Sequence, residues 1–360
     1  MLTNDYQYAF EYYREDGTPL GQVSVTVDWE PAQEWARFVA IRHGRLATSD
    51  LSGATSIHPI WHPASGEPYL GGFRVSVSAS EGNVSSDFTT AYFKALAHQI
   101  SSRFVETGQL KSGERFRYVA AAFPRPDGGQ VNSTVAFATE EVAPSLALRE
   151  TNFAEAARGA VPHDLVNAEE MPVLVPQRVL DEAAVLGRHA GAKETGGILI
   201  GHLHRDSGRP EIFAQVTAQI EARHTQADLT KLTFTSETWT DVRATLHLRR
   251  KDEIMLGWWH SHPVREWCKN CPIENQKVCP MSAGFFSTHD HALHRVMFPR
   301  AFSIALVVNH VAFGAATFSL FGWKQGLLES RGFYITGAPV PTTEDVGGNF
   351  FAPEAPKISA

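Results

Sequence analysis

Cysteine is scarce in this chain of 360 residues, which has only Cys268, Cys271 and Cys279, all in one short segment. Secreted disulfide scaffolds are small and spread an even number of cysteines along the chain, so the sequence excludes that class. The chain is also long enough to bury large hydrophobic cores without covalent cross-links, and its length predicts two domains. We therefore expect a reducing compartment and a cytoplasmic location.

An excess of positive charge is also missing, because the formal net charge is −7. Nucleic acids and anionic membranes are bound mainly through Lys and Arg, so we expect neither as a partner. The content of 43% hydrophobic and 20% charged residues is that of an ordinary globular protein.

Hydrophobic segments that would direct the chain to a membrane are not expected either. The first residues, MLTNDYQYAF, lack the basic and apolar regions of a signal peptide. The uncharged run 301–323 is long enough to span a bilayer, but Asn309 and His310 lie at its centre, where polar groups are costly in lipid. The β-branched residues around them predict two buried strands that meet at a turn.

Residues 1–137 predict an α+β domain. The alternation of apolar and polar residues and the turn and cap residues predict a hairpin over 9–29, a helix over 31–44, a strand over 71–80, a helix over 86–108 and a strand over 115–123. Nothing in this domain has catalytic spacing, and His58 and His62, each followed by proline, are expected to lie in a loop or to pack. We interpret the domain as a substrate- or partner-binding module.

Residues 138–172 are acidic, rich in alanine and bounded by prolines, which favours a linker with one helical segment. Residues 173–335 then predict a mixed α/β domain, and 336–360 a C-terminal tail. Within the domain the pattern predicts a helix bearing Val179, Leu180, Ala183 and Leu186, a strand hairpin over 196–220, a helix over 236–252 and a strand over 253–262.

Two histidines lie at the end of that last strand. In an extended chain His260 and His262 project from the same face, about 7 Å apart, which is close enough to bind one ion. Pro263 ends the strand and leaves the pair at its tip, where pockets in α/β sheets usually form. Two imidazoles, one carboxylate and an open position are the ligand set of a hydrolytic zinc site, and Asp290 is the nearest plausible third ligand.

A second histidine pair has the same spacing. His202 and His204 lie close to Asp206, but they lead directly into a turn rich in Ser, Gly and Pro, with no general base or oxyanion donor nearby. We expect this pair to be exposed on a hairpin strand.

Ser287 and Asp290 form a Ser-x-x-Asp pattern before the apolar sequence ALHRVMF. By itself this pattern predicts a helix start close to a capping box, with Ser287 as N-cap and Asp290 at N3. That interpretation is compatible with a role in the zinc site, because a helix that begins beside the histidine strand would aim both side chains at one pocket.

Four segments together resemble the JAMM (MPN+) metalloprotease family: KETGGILIG, GWWHSHP, FSTHD and the apolar strand FSIALVVN. The family pattern is a distant Glu, then His-x-His-Pro, then Ser-x-x-Asp, and the resemblance covers about 170–325. It implies a deaminase-like α/β/α sandwich. It also implies that His260, His262 and Asp290 bind a catalytic zinc ion, that Glu194 is the general base, and that Ser287 stabilises the oxyanion.

Members of this family that keep the full motif mostly cut the peptide or isopeptide bond after the tail of ubiquitin or a ubiquitin-like protein. The resemblance therefore implies a metalloprotease that deconjugates or processes a ubiquitin-like protein, with Glu194 assisting attack by water at the zinc. Bacterial relatives occur in operons resembling ubiquitin conjugation, some linked to antiviral defence. Two alternatives stay open: a non-catalytic scaffold stabilised by metal, and a nucleic-acid-linked protein of the same fold.

The chain departs from the family pattern in one interval. The aspartate usually follows the second histidine by eleven positions, whereas Asp290 follows His262 by 28. This insertion, at about 264–284, contains Cys268, Cys271 and Cys279, whose spacing predicts a second zinc ion. His289, His291 and His294 are candidates for its fourth ligand; an iron–sulfur cluster and metal-free cysteines are the alternatives.

Overall fold

The computed structural model describes residues 2–48, 54–79, 82–125, 146–223, 225–228, 231–272, 275, 284–310 and 316–337. They form a β-rich N-terminal unit and a mixed α/β unit in the C-terminal half. Among the helices in these ranges, none combines the length and the apolar character needed to cross a bilayer.

The N-terminal unit is a sheet with two helices. Its strands are β1 (Leu2–Thr3), β2 (Tyr6–Arg14), β3 (Pro19–Val25), β4 (Thr55–His62), β5 (Gly66–Ala79), β6 (Gly82–Thr89) and β7 (Phe116–Pro124). They are arranged in the order β1-β4-β5-β7-β2-β3, with β6 beside β5. The helices are α1 (Glu30–Arg42) and α2 (Lys94–Glu106), and the latter follows a 3-10 turn at Thr90–Phe93. The expected hairpin is confirmed as the antiparallel pair β2 and β3.

One N-terminal boundary differs from the sequence prediction. The helix expected over 86–108 begins at Lys94, because residues 86–89 belong to β6 and pair with β5. Phe88 is buried and stacks on Phe73 across the strands, with ring centroids 4.8 Å apart. Its neighbour Asp87 points to solvent and accepts from Arg74. A period of two therefore applies here, where sequence reasoning assigned a helical period.

The C-terminal unit is built around a second sheet. Its strands are β8 (Leu148–Thr151), β9 (Val161–His163), β10 (Val173–Pro176), β11 (Gly196–Asp206), β12 (Ile212–Glu221), β15 (Ile254–His262), β16 (Ile304–Asn309), β17 (Thr317–Lys324), β18 (Leu327–Arg331) and β19 (Phe333–Thr336), and a separate hairpin holds β13 (Thr225–Asp228) and β14 (Lys231–Phe234). The order is β18-β17-β16-β15-β11-β12-β10-β19-β9, with β8 beside β11. The helices are α3 (Phe153–Ala156), α4 (Gln177–Ala190), α5 (Ser236–Arg249), α6 (Val264–Trp267) and α7 (Thr288–Met297).

Helices cover both faces of this sheet. One face of β11 places Leu199 and Leu203 in the same hydrophobic cluster as Val179 and Leu180 of α4. The alternate residues of the strand, among them Ile198, lie in a second cluster with α5 and α7. The C-terminal unit thus has the α/β/α layering that the family resemblance implied.

The uncharged run 301–323 forms β16 and β17, which pair antiparallel, as predicted. Asn309 ends β16, and residues 311–315 at the expected turn lie outside the described residues. The polar centre of the run is therefore the end of a buried strand.

The segment expected to be a linker contributes to the sheet. Residues 126–145 and the tail from 338 onward lie outside the described residues. Residues 148–163, however, form β8, α3 and β9. β8 pairs parallel to Leu203–Asp206 of β11, beyond the point where β15 stops pairing with that strand. An open strand edge recruits this segment, so it is part of the domain and not only a connector.

The two units share one continuous hydrophobic cluster. Phe38 on α1 packs on Phe302 just before β16, with ring centroids 6.3 Å apart. Beside them Arg42 is buried and donates to both carboxylate oxygens of Glu211, at 2.5 and 2.7 Å. The N-terminal unit is therefore held against the sheet that carries the candidate site.

Candidate metal centre

The two histidines of the His-x-His pattern converge at the end of β15. This strand lies between β11 and β16, so both side chains are enclosed: His260 is 0% exposed and His262 1%. Their Nε2 atoms lie 3.0 Å apart. The expectation that both imidazoles share one face is confirmed by this geometry.

Asp290 reaches the same point from the start of α7. Its backbone N–H donates to Ser287 Oγ at 3.2 Å, and its Oδ2 accepts from the Ser287 backbone N–H at 2.8 Å. This is the predicted capping box, and it fixes the carboxylate beside the strand. The same Oδ2 lies 3.6 Å from His260 Nε2. The fold thus closes the gap of 28 positions that separates the aspartate from His262 in sequence.

These three side chains suit a zinc ion. Each offers one ligand atom, and the three atoms lie within 4.8 Å of one another. Burial lowers the pKa of both His260 and His262 to about 3, so both rings are neutral and can offer lone pairs. His262 Nδ1 lies 3.2 Å from Asn309 Oδ1, an acceptor that holds the ring proton on Nδ1 and leaves Nε2 for a metal. Two imidazoles and a carboxylate form a catalytic zinc ligand set.

Glu194 lies immediately before β11, next to this cluster. The backbone of the following residue, Thr195, is bound twice by Ser261, the residue between the two histidines: Ser261 N–H donates to Thr195 O at 2.8 Å, and Thr195 N–H donates to Ser261 Oγ at 3.1 Å. The Glu194 side chain is 4% exposed. Burial, and secondly the charge of Asp290, raise its pKa to about 8. A carboxyl group with this pKa can exchange a proton near neutral pH.

Aromatic rings enclose the histidine ligands. Trp258 stacks on His260 with centroids 4.7 Å apart, and Phe285 stacks on His262 at 4.4 Å. Trp267 lies 5.2 Å from the His262 ring. These walls exclude water and lower the local dielectric constant, so charge interactions in the site are stronger than in solvent.

The cysteine prediction is tested only in part. Cys268 is buried and Cys271 exposed, and the Cys271 N–H donates to Cys268 O at 2.8 Å. Cys279 lies outside the described residues, so the second zinc ion stays a prediction. Of the candidates for a fourth ligand, His294 has its Nδ1 engaged by the Trp258 indole N–H at 3.0 Å.

The second histidine pair is not exposed, so that prediction is wrong. His202 is 8% and His204 5% exposed, because β11 is flanked along its length by β12 and, in turn, by β15 and β8. His204 stacks on Phe213 and its Nδ1 bonds Thr151 Oγ1 at 2.8 Å. Within the described part of the chain neither histidine belongs to a group of potential metal ligands.

The other histidines set aside in the first domain are also outside any such group. His58 and His62 lie on β4, not in a loop, and both are exposed. The sequence patterns gave Trp258 and Asn309 no role at the cluster and suggested His294 only for the cysteine site, whereas all three contact or support the cluster. Asn309 was visible only as a polar residue inside an apolar strand.

One segment of the C-terminal half resembles a known family. Residues 176–266 match the family described as prokaryotic homologs of the JAB domain. The C-terminal half carries a JAB-type domain. None of the curated proteins matches the chain. The solution structure of protein DSY2949 from Desulfitobacterium hafniense is similar over 46% of this chain and 92% of that chain, with 18% identity and a TM-score of 0.31.

The matched segment of the JAB-type domain includes Glu194, His260 and His262 but stops before the cysteines. Ser287 and Asp290 lie beyond it, on the far side of the insertion. The match therefore ends where this chain departs from the family interval, and the structure shows that the remaining part of the site lies beside the matched part.

Proposed function

We propose that the JAB-type domain is a zinc-dependent peptidase or isopeptidase that hydrolyses the bond after the C-terminal tail of a ubiquitin-like protein. The observation that carries this proposal is the convergence of His260, His262 and Asp290 at one point, with Glu194 buried close by. Such a site has the ligands of a hydrolytic zinc ion and a proton acceptor in one enclosed pocket.

His260, His262 and Asp290 would hold the ion, each through one ligand atom. Bound zinc supplies a Lewis acid that polarises a carbonyl and acidifies water. Glu194, buried close to the proposed ligands, would accept the proton of the attacking water and then pass it to the leaving amine.

Ser287 serves both the helix and the reaction. Its Oγ accepts from the Asp290 N–H in the capping box, which occupies a lone pair and leaves its own O–H proton available. That proton can be donated to the carbonyl oxygen as negative charge develops there. One such donor typically contributes about 3 kcal/mol to transition-state stabilisation.

The substrate class rests on the family resemblance together with the acidic charge of the chain. A ubiquitin-like tail can bind as an extended strand through backbone hydrogen bonds. The N-terminal unit, docked on the same sheet, would bind the body of the substrate or a partner. The net charge of −7 argues against nucleic acid in that role. The three clustered cysteines favour a reducing compartment, so we propose that the reaction takes place in the cytoplasm.

A second candidate function is a non-catalytic scaffold stabilised by metal. It is favoured by the enclosure of the cluster, since His260, His262, Asp290 and Glu194 are each no more than 4% exposed. In this case the ion would contribute only to stability, because ligand binding to the folded state raises the free energy of unfolding.

A cleavage assay separates the two functions. Ubiquitin-like proteins carrying a C-terminal extension are incubated with the full chain, with and without a chelator, and zinc is measured in the same samples. A peptidase cuts the extension only when zinc is present. A scaffold binds zinc, loses thermal stability with the chelator, and cuts none of the fusions.

Glu194→Gln is the matched variant for this assay. Because the side chain is placed beside the ligands and not among them, we expect zinc content to stay at the wild-type level while turnover falls at least about 100-fold. Wild-type turnover in this variant would eliminate Glu194 as the base.

We also propose a structural zinc ion at Cys268, Cys271 and Cys279. The zinc content of Cys271→Ser, compared with that of the wild type, tests it, with a loss of one ion per chain expected. Equal zinc content in the two proteins would show that the cysteines bind none.

A further inference from the structure

We propose that Trp258 and His294 form a positioning pair that sets the distance between the strand bearing the two histidine ligands and the helix bearing the aspartate ligand. This inference rests on the proposed zinc site and concerns how the chain holds that site in shape. Neither residue would touch the metal, and each acts through a neighbouring ligand.

The two side chains connect β15 to α7 inside the second hydrophobic cluster. Trp258 is 0% exposed, and its ring is nearly parallel to that of His260, at 16° and a centroid distance of 4.7 Å. Its indole N–H donates to His294 Nδ1 at 3.0 Å. His294, also 0% exposed, lies on α7 one turn beyond Asp290. The hydrogen bond therefore runs from the residue that packs on one ligand to the helix that carries another.

Positions four apart lie on the same face of a helix, so Asp290 and His294 both face the sheet. The capping box holds the first turn of α7 at Ser287, and the His294 bond holds the next turn against Trp258. Two points of attachment fix the helix against rolling on the sheet. Without the second, α7 would keep the capping box and the Trp323 bond to Phe298 O at its far end, and the Asp290 carboxylate could shift relative to His260 Nε2, which is 3.6 Å away.

Packing alone does not explain a histidine at this position. Because Nδ1 accepts the indole proton, the ring proton of the neutral imidazole is on Nε2. That Nε2 is buried and lacks a hydrogen-bond partner within the described residues. An apolar side chain such as leucine would fill the space without leaving an unpaired N–H. The acceptor for Trp258 is what histidine supplies and leucine cannot.

The experiment measures zinc affinity, by competition with a chromogenic chelator, and the visible absorption of the cobalt-substituted protein. Trp258→Phe keeps a ring against His260 but removes the donor, and His294→Leu removes the acceptor. We expect each to weaken zinc binding about 10- to 100-fold, the usual effect of losing support for a ligand. We also expect altered cobalt bands, because the geometry of the ligands changes.

His294→Asn is the conservative variant, since its Oδ1 can stand where Nδ1 accepts the indole proton. We expect its zinc affinity to lie within about 3-fold of the wild-type value. This loss is smaller than the 10- to 100-fold loss expected when the supporting residue is missing. Trp323→Phe is the matched control. Its indole N–H also bonds to the end of α7, at Phe298 O and 2.9 Å, and its ring lies 5.5 Å from His294. We expect this control to lose stability but to keep wild-type zinc affinity.

A double variant, Trp258→Phe with His294→Leu, completes the cycle. The pair predicts that the double variant binds zinc about as weakly as either single variant, because both remove the same bond. The proposal would be wrong if both single variants kept the wild-type zinc affinity and cobalt spectrum. It would also be wrong if the loss of affinity in the double variant equalled the product of the two single losses. If the wild type itself binds no zinc, the proposed function fails as well, which distinguishes the two results. If His294→Leu does not fold, Trp258→Phe and His294→Asn still test the proposal. It requires that zinc affinity be lost in Trp258→Phe and retained in His294→Asn.

Discussion

Asn309 is a single polar residue placed to support His262, a proposed metal ligand. It ends β16 directly opposite His262 in the parallel ladder, and it is 0% exposed. Its Oδ1 faces His262 Nδ1 at 3.2 Å, so the amide selects the tautomer in which Nε2 is free for the metal. The contact with His262 compensates in part for burying the amide, whose Nδ2 lacks a hydrogen-bond partner within the described residues.

Replacing Asn309 should therefore weaken metal binding more than it weakens folding. For Asn309→Leu we expect about 10- to 100-fold lower zinc affinity, because the ring loses its orienting acceptor. Asn309→Asp keeps an acceptor at the same position, so its zinc affinity should be at least as high as that of Asn309→Leu. Chelator competition gives the affinities, and urea unfolding of the metal-free proteins gives stability. Equal affinities in wild type and Asn309→Leu would show that His262 needs no such support.

A second residue, His204, predicts a pH dependence of stability away from the site. Burial, and then the neighbouring His202 and Arg149, lower its pKa to about 4, whereas an unfolded histidine titrates near 6.5. The unfolded state thus binds more protons between these values. Stability is full above pH 6.5 and falls as the pH decreases toward 4, by up to about 1.4 kcal/mol per pH unit.

Urea unfolding of the wild type and of His204→Gln at pH 7 and pH 5 checks this sign. The loss of stability on acidification should be smaller in the variant by up to about 2 kcal/mol. Identical losses in the two proteins would mean that His204 takes up protons equally in the folded and the unfolded state over this range.

Among the residues of the candidate site, the sequence predicted the placement of those that lie a few positions apart. His260 with His262, and Ser287 with Asp290, are separated by two and three positions, so their spacing alone placed each pair on one face or one helix turn. Asn309 lies 47 positions from the ring it supports, and His294 lies 36 from Trp258. Such partners are set by the order of strands in the sheet, which no local spacing reveals.

Among the helices and strands, α7 has an N-cap residue, Ser287, with two proposed roles. Ser287 caps the helix and is also the proposed donor to the carbonyl oxygen, so a simple deletion would confuse the two. Asp and Gly are both acceptable N-caps, but neither can donate a hydroxyl proton. The helix start can thus be kept while the donor is removed.

We expect Ser287→Ala to lose about 1 kcal/mol of stability, and Ser287→Gly only a few tenths. Both should lose about 100-fold or more in turnover, because both lack the donor. Thermal unfolding and single-turnover cleavage measure the two effects. If activity followed stability, with Ser287→Gly close to wild type, the hydroxyl would act only as a cap.

The strands and helices that were predicted correctly are those with strong periodicity and clear ends. The alternation in β2 and β3 around the turn at Gly17 gave the hairpin, and the apolar face with Val179 and Leu180 gave α4. β8 was missed because LRET carries no such pattern. It is a strand only because β11 has an open edge there, and that edge exists only in the folded sheet.

For the whole molecule, the contact between the two units depends on a buried charge. Arg42 donates to Glu211, and also to the backbone oxygens of Glu169 and Glu170, at 2.5 and 3.0 Å. Every nitrogen of its guanidinium thus donates at least one hydrogen bond, and removing it would leave the Glu211 carboxylate buried without its cation. The arginine joins the end of α1 to β12 and to the chain just before β10.

Arg42→Met should accordingly lower the free energy of unfolding by about 3–5 kcal/mol. Arg74→Met is the control, because the Arg74–Asp87 pair is about half exposed, and solvent leaves such a surface pair a much smaller effect on stability. Denaturant unfolding followed by tryptophan fluorescence compares the two. Equal small losses would show that the units hold together through their apolar contacts alone.

The distance along the chain from His262 to Asp290 has a consequence for how this molecule can vary. Bringing two points of a chain together costs entropy only as the logarithm of the intervening length, about 0.6 kcal/mol for each doubling. An interval of 28 positions in place of eleven therefore adds only a small entropic cost to bringing His262 and Asp290 together. The segment between the proposed ligands can change in size and composition while the cluster of His260, His262 and Asp290 stays as it is, so the surface beside the candidate site and the site itself can evolve separately in this architecture.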